Sequence, residues 1–386
     1  MSPPRAPQGD FGLYVHTPWC KSRCPYCAFV TYVEASPPYE RWRDGILSEW
    51  AVKSADFAGP AHSLFFGGGT PSLAPAAVIG AIIGAMPLSP GAEVTVEANP
   101  GTLSAAHLAD LRGYGVNRVS VGLQTFNPRF AHLLNRGHTV HEAQELLQLV
   151  AEAGFESWSV DLIFALPGQT LTDFEVDLAG ILAASPPHVS LYGLTFEEGT
   201  PLTRAKERGQ LAPVDDEVWR AMYLHAVATL GAHGYERYEV SNFRKQHHAA
   251  VHNEAVWRGG FYAGLGPGAH GFHPDGRRTR GHATFEAWLA DPWGEVERPD
   301  AEAAAYDRVL TTLRHTDGLD LEALEADLGF VLRPSALASL LATGLAHRRG
   351  PALRLSDEGW PLADTVLRKV IDGLRRAAPG PNRDSP

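Results

Sequence analysis

The sequence predicts an α/β fold, six parallel β/α units in a barrel or an incomplete one, followed by a small helical, winged-helix-like domain. Three observations predict it. Between residue 11 and about residue 195, six short apolar runs alternate with helical stretches, as a parallel sheet sheathed in helices requires. The runs read as largely apolar rather than alternating, which suits strands buried on both faces. From residue 299 the pattern changes to helices that lead into a short two-stranded ribbon.

The strands are expected at Leu13–His16, Ser63–Phe66, Glu93–Glu97, Arg118–Gly122, Trp158–Phe164 and His188–Leu194. Helix starts lie between them. Ser104 is a good N-cap for AAHLADLR, while Thr139 with Glu142, and Thr172 with Glu175, fit capping boxes. Trp219–Leu230 is the clearest helix of the next stretch and closes a barrel core of 11–240. A connecting region at 241–298 holds the string HNEAVW (252–257) and the glycine-rich RGGFYAGLGPGAHGF (258–272). The C-terminal domain, 299–375, reads as helices Ala301–Leu313, Leu321–Asp327 and Pro334–Ala342, a hairpin Leu345–Leu355 and a last helix Leu362–Leu374. Residues 1–10 and 376–386 are expected to be disordered tails.

Composition narrows the partners. With 386 residues, 44% hydrophobic and 20% charged, the chain has the means for a good core. A net charge of −11 argues against an electrostatic grip on nucleic acid or anionic lipid. The single basic turn at Arg348 and Arg349 does not reverse that for the winged-helix-like domain. No apolar run approaches the ~20 residues of a membrane span. The opening MSPPRAPQGD has no apolar core of a secretory signal, so a cytoplasmic protein is expected.

The chemistry starts at the only three cysteines, Cys20, Cys24 and Cys27, in YVHTPWCKSRCPYCAF (14–29). An odd, closely spaced set in an otherwise thiol-free chain points to one metal centre. The spacing C-x3-C-x2-C supplies three thiolates, which on a four-iron cluster leave one iron open to a non-protein ligand. With His16 the same thiolates would make a Cys3His zinc site, although zinc knuckles bring ligands from two separated pairs. Gly67–Thr70, Glu97, Gln124, Asp161 and Thr195 fall at the C-terminal ends of successive strands, the rim where parallel barrels build their sites. The glycines of LFFGGGTPS (64–72) let the backbone approach a ligand closely there.

The cysteine spacing, with Tyr14, His16, Pro18 and Tyr26 around it, resembles the radical S-adenosylmethionine (SAM) superfamily. The resemblance implies a [4Fe–4S] cluster whose open iron is chelated by SAM, and cleavage of SAM to a 5′-deoxyadenosyl radical. GGGTP (67–71) resembles the superfamily's motif for the SAM amino group. EVTVEANPGT (93–102), SVGLQTF (120–126), LNRGH (134–138) and SVDLIFALPGQT (159–170) follow in the order of the coproporphyrinogen oxidase-like branch. That branch implies a SAM site of Tyr14, Tyr26, Gly67, Gly68, Gly69, Thr70, Glu97, Gln124, Arg136 and Asp161. Glu97 or Asp161 would accept from ribose hydroxyls or an ammonium, and Arg136 would fork onto the SAM carboxylate.

Within the branch, the oxygen-independent coproporphyrinogen III oxidases carry a further cysteine just after the triad and a longer N-terminal extension. Here Cys27 is followed by Ala28 and Phe29. This ending, the short start, HNEAVW and AGLGPGAHG (263–271) are similar to the HemW heme chaperone family. That similarity implies heme as cargo, recipient hemoproteins such as respiratory enzymes, and a homodimer as candidate working unit. His252 is the candidate heme ligand, since imidazole is a common axial ligand to heme iron. Two positions depart from the family pattern, Val256 for a tyrosine and Ala28 for an aspartate. The alternative is an enzyme that oxidatively decarboxylates coproporphyrinogen III in porphyrin biosynthesis. No residue is assigned a catalytic role on its own, and SAM-dependent modification of RNA finds no basic patch to support it.

Overall fold

The structure, a computed structural model, describes residues 11–136 and 139–377. The expected tail at 1–10, most of the tail expected at 376–386, and Gly137 and His138 of the LNRGH string lie outside the described residues. The chain divides into two compact units.

The first unit is built on twelve strands: β1 (Phe11–Thr17), β2 (Ala61–Gly68), β3 (Leu88–Ala98), β4 (Arg118–Gln124), β5 (Ser157–Phe164), β6 (His188–Gly193), β7 (Glu236–Arg237), β8 (Asn242–Arg244), β9 (Tyr262–Leu265), β10 (His270–Phe272), β11 (Arg278–Arg280) and β12 (Glu295–Glu297). They form one sheet in the order β12-β11-β10-β9-β1-β2-β3-β4-β5-β6-β8-β7. β1 to β6 run parallel in sequence order, as the six β/α units predict. β9 adds a seventh parallel strand beside β1, and antiparallel β10–β12 and β7–β8 extend the two edges. Residues 241–298, read from the sequence as a connecting region, thus supply β8 to β12. The glycines hid them. A Cβ at Gly264 would lie 1.8 Å from the His270 carbonyl oxygen, so β9 and β10 approach only through glycine.

The strands are buried on both faces, but they are not continuously apolar. In β3, β4 and β5 the residues alternate: Val94, Val96, Val119, Val121, Val160 and Leu162 face one way. Glu93, Thr95, Arg118, Ser120, Ser159 and Asp161 face the other, and they are buried or partly buried as well. The apolar side of β1 to β3 joins Trp42, Ile46, Ile79 and Ile82 of the surrounding helices in the main core. The register stacks the polar side in layers, Gly12–Ser63–Glu93 at one end and Gly122–Asp161–Ser190 toward the other. A polar lining inside an apolar shell is what a ligand-binding barrel needs.

Helix starts follow local chemistry. Ser104 caps Ala105–Gly113, and Thr139 with Glu142 closes a capping box on Val140–Glu152. The box expected at Thr172 and Glu175 sits one half-turn earlier: Thr170 caps Leu171–Ala184 with Asp173. Both pairs satisfy the motif, and the earlier start adds backbone hydrogen bonds such as Phe174 N–H to the Thr170 carbonyl (3.1 Å).

The second unit comprises 238–240, 256–259 and the chain from 298 onward. Helices Ala301–Thr312, Leu321–Leu328 and Pro334–Ala342 are joined by a three-stranded sheet of Leu319–Asp320, Ala352–Leu355 and Ala346–Arg349, a winged-helix-like arrangement. After the helix Ala363–Gly373, Leu374–Arg376 pairs antiparallel with Phe330–Leu332. The tail expected from residue 376 thus begins within this strand, and Ala377 N–H reaches the Gly329 carbonyl (2.8 Å).

One ion pair holds β9 to the first helix, Tyr39–Lys53. Lys53 is 0% exposed and Glu49 2%. The Lys53 ammonium donates to Glu49 Oε1 (2.6 Å) and the Gly264 carbonyl (2.9 Å), while Glu49 Oε2 accepts from Gly266 N–H (2.7 Å) and Trp288 Nε1–H (2.8 Å). Removing one partner leaves the other charge buried alone. Lys53→Met is therefore expected to cost about 3–5 kcal/mol in denaturant unfolding, and adding Glu49→Leu to restore much of that loss. A single-mutant cost below about 1 kcal/mol would show that the pair does not anchor β9.

Candidate metal centre and ligand cavity

The cysteine loop leaves the end of β1 and is stitched to its surroundings by backbone bonds. Cys20 N–H donates to the Tyr32 carbonyl (2.9 Å) and Tyr32 N–H to the Pro18 carbonyl (2.7 Å), closing the loop on itself. The glycine turn after β2 then clasps it: Gly69 N–H reaches the Thr17 carbonyl and Thr70 N–H the Trp19 carbonyl, both at 2.8 Å. Under the loop, buried Trp19 packs edge-on against Tyr39 and Trp42.

His16 pins the far side. Its Nε2 lies 2.8 Å from the Val30 carbonyl, which can only accept, so Nε2 carries the proton and Nδ1 accepts from the Tyr14 hydroxyl (3.0 Å). Burial pushes its pKa down to about 4, so it is neutral. With both nitrogens committed, His16 is not a fourth ligand, and the Cys3His zinc reading loses its histidine.

The three cysteines are free, partly exposed thiols on the wall of one cavity of about 870 Å³. The Thr70 hydroxyl donates to Cys20 Sγ (3.6 Å), and the Arg136 guanidinium to Cys24 Sγ (3.6 Å). The same guanidinium donates to Asn99 Oδ1 and to the Gly122 carbonyl. Burial pushes the Cys20 and Cys27 thiols up, a bias that a bound metal reverses. Among the described residues, no three His, Cys, Asp or Glu side chains converge closely enough to hold a single metal ion. Three thiolates without a fourth protein donor beside them suit a four-iron cluster with one open iron better than a four-coordinate structural zinc site.

The same cavity is lined by two partly buried carboxyls. Glu97 accepts from Gly68 N–H (3.1 Å), yet burial and then the charge of Asp161 push its pKa up to about 8. Burial raises Asp161 as well, against hydrogen bonds from Ser190 and Ser120, the latter 3.3 Å from both oxygens. Glu97 is therefore held protonated at neutral pH beside Asp161.

Gln124 ends β4 with φ +77, at a shift in register between β4 and β5. A non-glycine residue in this region costs of order 1–3 kcal/mol unless its surroundings hold it. Asp177 does so from the helix Leu171–Ala184: its carboxylate accepts from Thr125 Oγ1 (2.9 Å), Phe126 N–H (2.5 Å) and Gln169 Nε2 (3.3 Å).

Cys20, Cys24, Tyr26, Cys27, Gly68, Gly69, Thr70, Glu97, Gln124, Arg136, Asp161 and Thr195 all line the cavity. Tyr14 and Gly67 do not. They lie a layer below, where the Tyr14 ring stands 6.2 Å from Phe65 and 6.4 Å from His252, and a Cβ at Gly67 would strike the Phe65 and Tyr14 rings. His252 is at the opposite end of the strands. Its Nδ1 is 3.0 Å from Ser63 Oγ, its N–H donates to Glu93 (3.1 Å), and its buried ring is held neutral, with its pKa pushed down to about 3. The cavity and His252 are thus separate places.

Two site residues escaped the sequence reading. Asn99, which donates to Thr70 Oγ1 (2.9 Å) and accepts from Arg136, stood inside the quoted EVTVEANPGT string. Asp177 shares a helix face with buried Phe174, Leu178 and Ile181, and an acid on an apolar face is itself a signal. Asp177→Ala strands a buried N–H and a buried hydroxyl, so it is expected to cost about 2–4 kcal/mol in denaturant unfolding. A loss below about 0.5 kcal/mol would show that the Gln124 turn holds itself.

Comparison with known proteins agrees with this geometry. The family model of the radical SAM superfamily matches residues 14–179. Over 385 residues the chain is 35% identical to the heme chaperone HemW of Mycobacterium tuberculosis, covering 95% of this chain and 96% of that protein. It is 41% identical over 395 residues to the mitochondrial radical S-adenosyl methionine domain-containing protein 1 of Bos taurus, covering 95% and 88%. Among solved structures, the Escherichia coli coproporphyrinogen III oxidase HemN superposes with a TM-score of 0.78 at 21% identity, over 95% of this chain and 91% of that one. At that identity the likeness speaks for the fold, the partial radical SAM barrel with its C-terminal helical domain. Thiolate loop, cavity and whole-length similarity converge: the chain belongs to the HemW family of radical SAM proteins.

Proposed function

We propose that this protein is a cytoplasmic heme chaperone that holds a [4Fe–4S] cluster on Cys20, Cys24 and Cys27, binds SAM in the adjoining cavity, and delivers heme to hemoproteins. The observation that carries the reading is the 35% identity to a heme chaperone over 95% of the chain. Cys27-Ala28-Phe29, without a fourth cysteine, is in keeping with it. No helix among the described residues is long and apolar enough to cross a membrane.

When bound, cluster and SAM supply reductive cleavage of a sulfonium carbon–sulfur bond. The chain's own residues prepare the place. The Arg136 guanidinium and the Thr70 hydroxyl stabilise negative charge on the sulfurs. Gly68, Gly69, Thr70, Gln124, Tyr26 and the Glu97–Asp161 pair would hold SAM, with Tyr14 and Gly67 shaping the layer beneath.

A cationic ligand favours the ionised form of that pair. Glu97, protonated below a pKa of about 8, should therefore release a proton when SAM binds near pH 7. Affinity should rise with pH, by up to tenfold per unit, and level off above pH 8. Calorimetric titrations in buffers of different ionisation enthalpy read the released proton, and Glu97→Gln should abolish it. Release of a full proton by Glu97→Gln would assign it elsewhere.

Hemin titration of the anaerobically reconstituted protein, followed in the Soret region, tests the function. One equivalent bound per chain is expected, and Cys24→Ser should lose the visible thiolate-to-iron absorption of the cluster. An unchanged spectrum in Cys24→Ser would overturn the cluster assignment. Absence of specific hemin binding, with turnover of coproporphyrinogen III, would replace the chaperone by the decarboxylase.

A further inference from the structure

The inner face of the barrel carries a buried cation, Arg118, which opens β4 and is 2% exposed. Its register partner on β3 is Thr95. Glu93 and Glu97 flank Thr95 two residues away on either side, so all three share the inner face of β3. The guanidinium is therefore set between a carboxylate at one end of the barrel and a carboxyl in the cavity. Its Nε lies 3.7 Å from Glu93 Oε2, too far for a hydrogen bond, and among the described residues that N–H has no acceptor. Glu93 spends its two oxygens elsewhere, on the N–H groups of Val251 (3.0 Å) and His252 (3.1 Å).

A buried guanidinium keeps its charge, and one held by a single long ion pair leaves much of its field for other acids. Two such acids face it from the cavity. The Arg118 charge draws both Glu97 and Asp161 toward ionisation, against the burial that opposes it. Ser120, the next inward residue of β4, stands 3.3 Å from both Asp161 oxygens and joins the two layers. Other neighbours do not replace the cation. Burial keeps the Tyr14 hydroxyl protonated on β1, and it keeps His188 on β6 and His248 neutral, with Arg118 adding to the effect on both histidines. Arg136 faces Asp161 as well, but it is committed to Cys24, Asn99 and Gly122.

We propose that Arg118 is a positioning residue of the ligand cavity: from inside the barrel its guanidinium readies Glu97 and Asp161 to ionise against a cationic ligand, and Glu93 sets how much of its charge reaches them. This rests on the reading of the cavity as a SAM site and names a residue that tunes it without touching the ligand. Glu93 draws on the cation from one end and the cavity carboxyls draw on it from the other. Removing Arg118 and removing the Glu93 charge should therefore move the carboxyls in opposite directions, which loss of structure alone would not do.

The test is infrared difference titration of the cluster-loaded protein before SAM is added, reading the C=O stretch of protonated buried carboxyls, with Glu97→Gln to identify the band. The midpoint, about 8 in the unaltered chain, should rise by about one unit in Arg118→Gln and fall by about as much in Glu93→Gln. Arg118→Lys, which keeps the charge, should leave it nearly in place. SAM affinity near pH 7 should follow, roughly tenfold weaker in Arg118→Gln and severalfold tighter in Glu93→Gln, with the pH at which it levels off moving in step. Glu93→Gln keeps an acceptor for one of the two N–H groups, and it carries the test alone if Arg118→Gln does not fold. A midpoint unchanged in Glu93→Gln, or shifted the same way in both variants, overturns the role of Arg118. Midpoints that move as expected while SAM affinity stays constant uphold that role and overturn the placing of SAM on these carboxyls.

Discussion

Arg136 is a partly buried guanidinium whose donors are divided among three acceptors on three different parts of the barrel rim: Cys24 Sγ, Asn99 Oδ1 after β3, and the Gly122 carbonyl in β4. A guanidinium stays charged at any physiological pH and presents its donors in a rigid plane, so these acceptors are fixed relative to one another. Asn99 passes the constraint on to Thr70, whose hydroxyl reaches Cys20. Two of the three thiols are thereby registered against the strand ends through side chains, besides the backbone bonds of their own loop. Asn135, in the left-handed region at φ +51, adds a third tie by donating to the Arg23 carbonyl (3.1 Å). One cation thus coordinates the thiolate loop, the glycine turn and the β4 bulge.

The glycine-rich segment after β9 explains why two distant stretches of sequence act as one site. A Cβ at Gly266 would lie 2.6 Å from the His16 carbonyl oxygen, and one at Gly268 would lie 2.5 Å from Val30 Cγ2. Both glycines have positive φ, so geometry and space exclude side chains together. The segment backs the cysteine loop from behind, and the buried Glu49 carboxylate holds it there through Gly266 N–H. AGLGPGAHG is therefore a structural support for the cysteine loop.

What was legible in the sequence is what local chemistry decides. Ser104 and Thr139 cap helices because a side-chain oxygen and the turn that follows suffice, and the six parallel strands announce themselves by apolar runs between such helices. The cysteine loop and most of the rim follow from strand order. What was not legible depends on register. Whether Thr95 or Val96 faces the barrel interior is a matter of which residue pairs with Phe65, and that pairing is set by contacts far apart in sequence. The same long-range pairing creates β9 from a glycine-rich string, sinks Tyr14 and Gly67 beneath the cavity, and carries His252 to the end of the strands where Gly12 and Ser63 lie.

The energetic state of the loop before cluster assembly follows from these constraints. Its backbone is closed by Cys20–Tyr32 and Tyr32–Pro18 hydrogen bonds and clasped by the glycine turn, so little conformational entropy remains to be lost when thiolates are recruited. The cost lies in protons instead. Burial holds the Cys20 and Cys27 thiols protonated, and each must give up its proton to become a ligand. The Arg136 cation opposes burial at both sulfurs. A loop preorganised in shape but protonated in its donors would load a cluster more readily as pH rises.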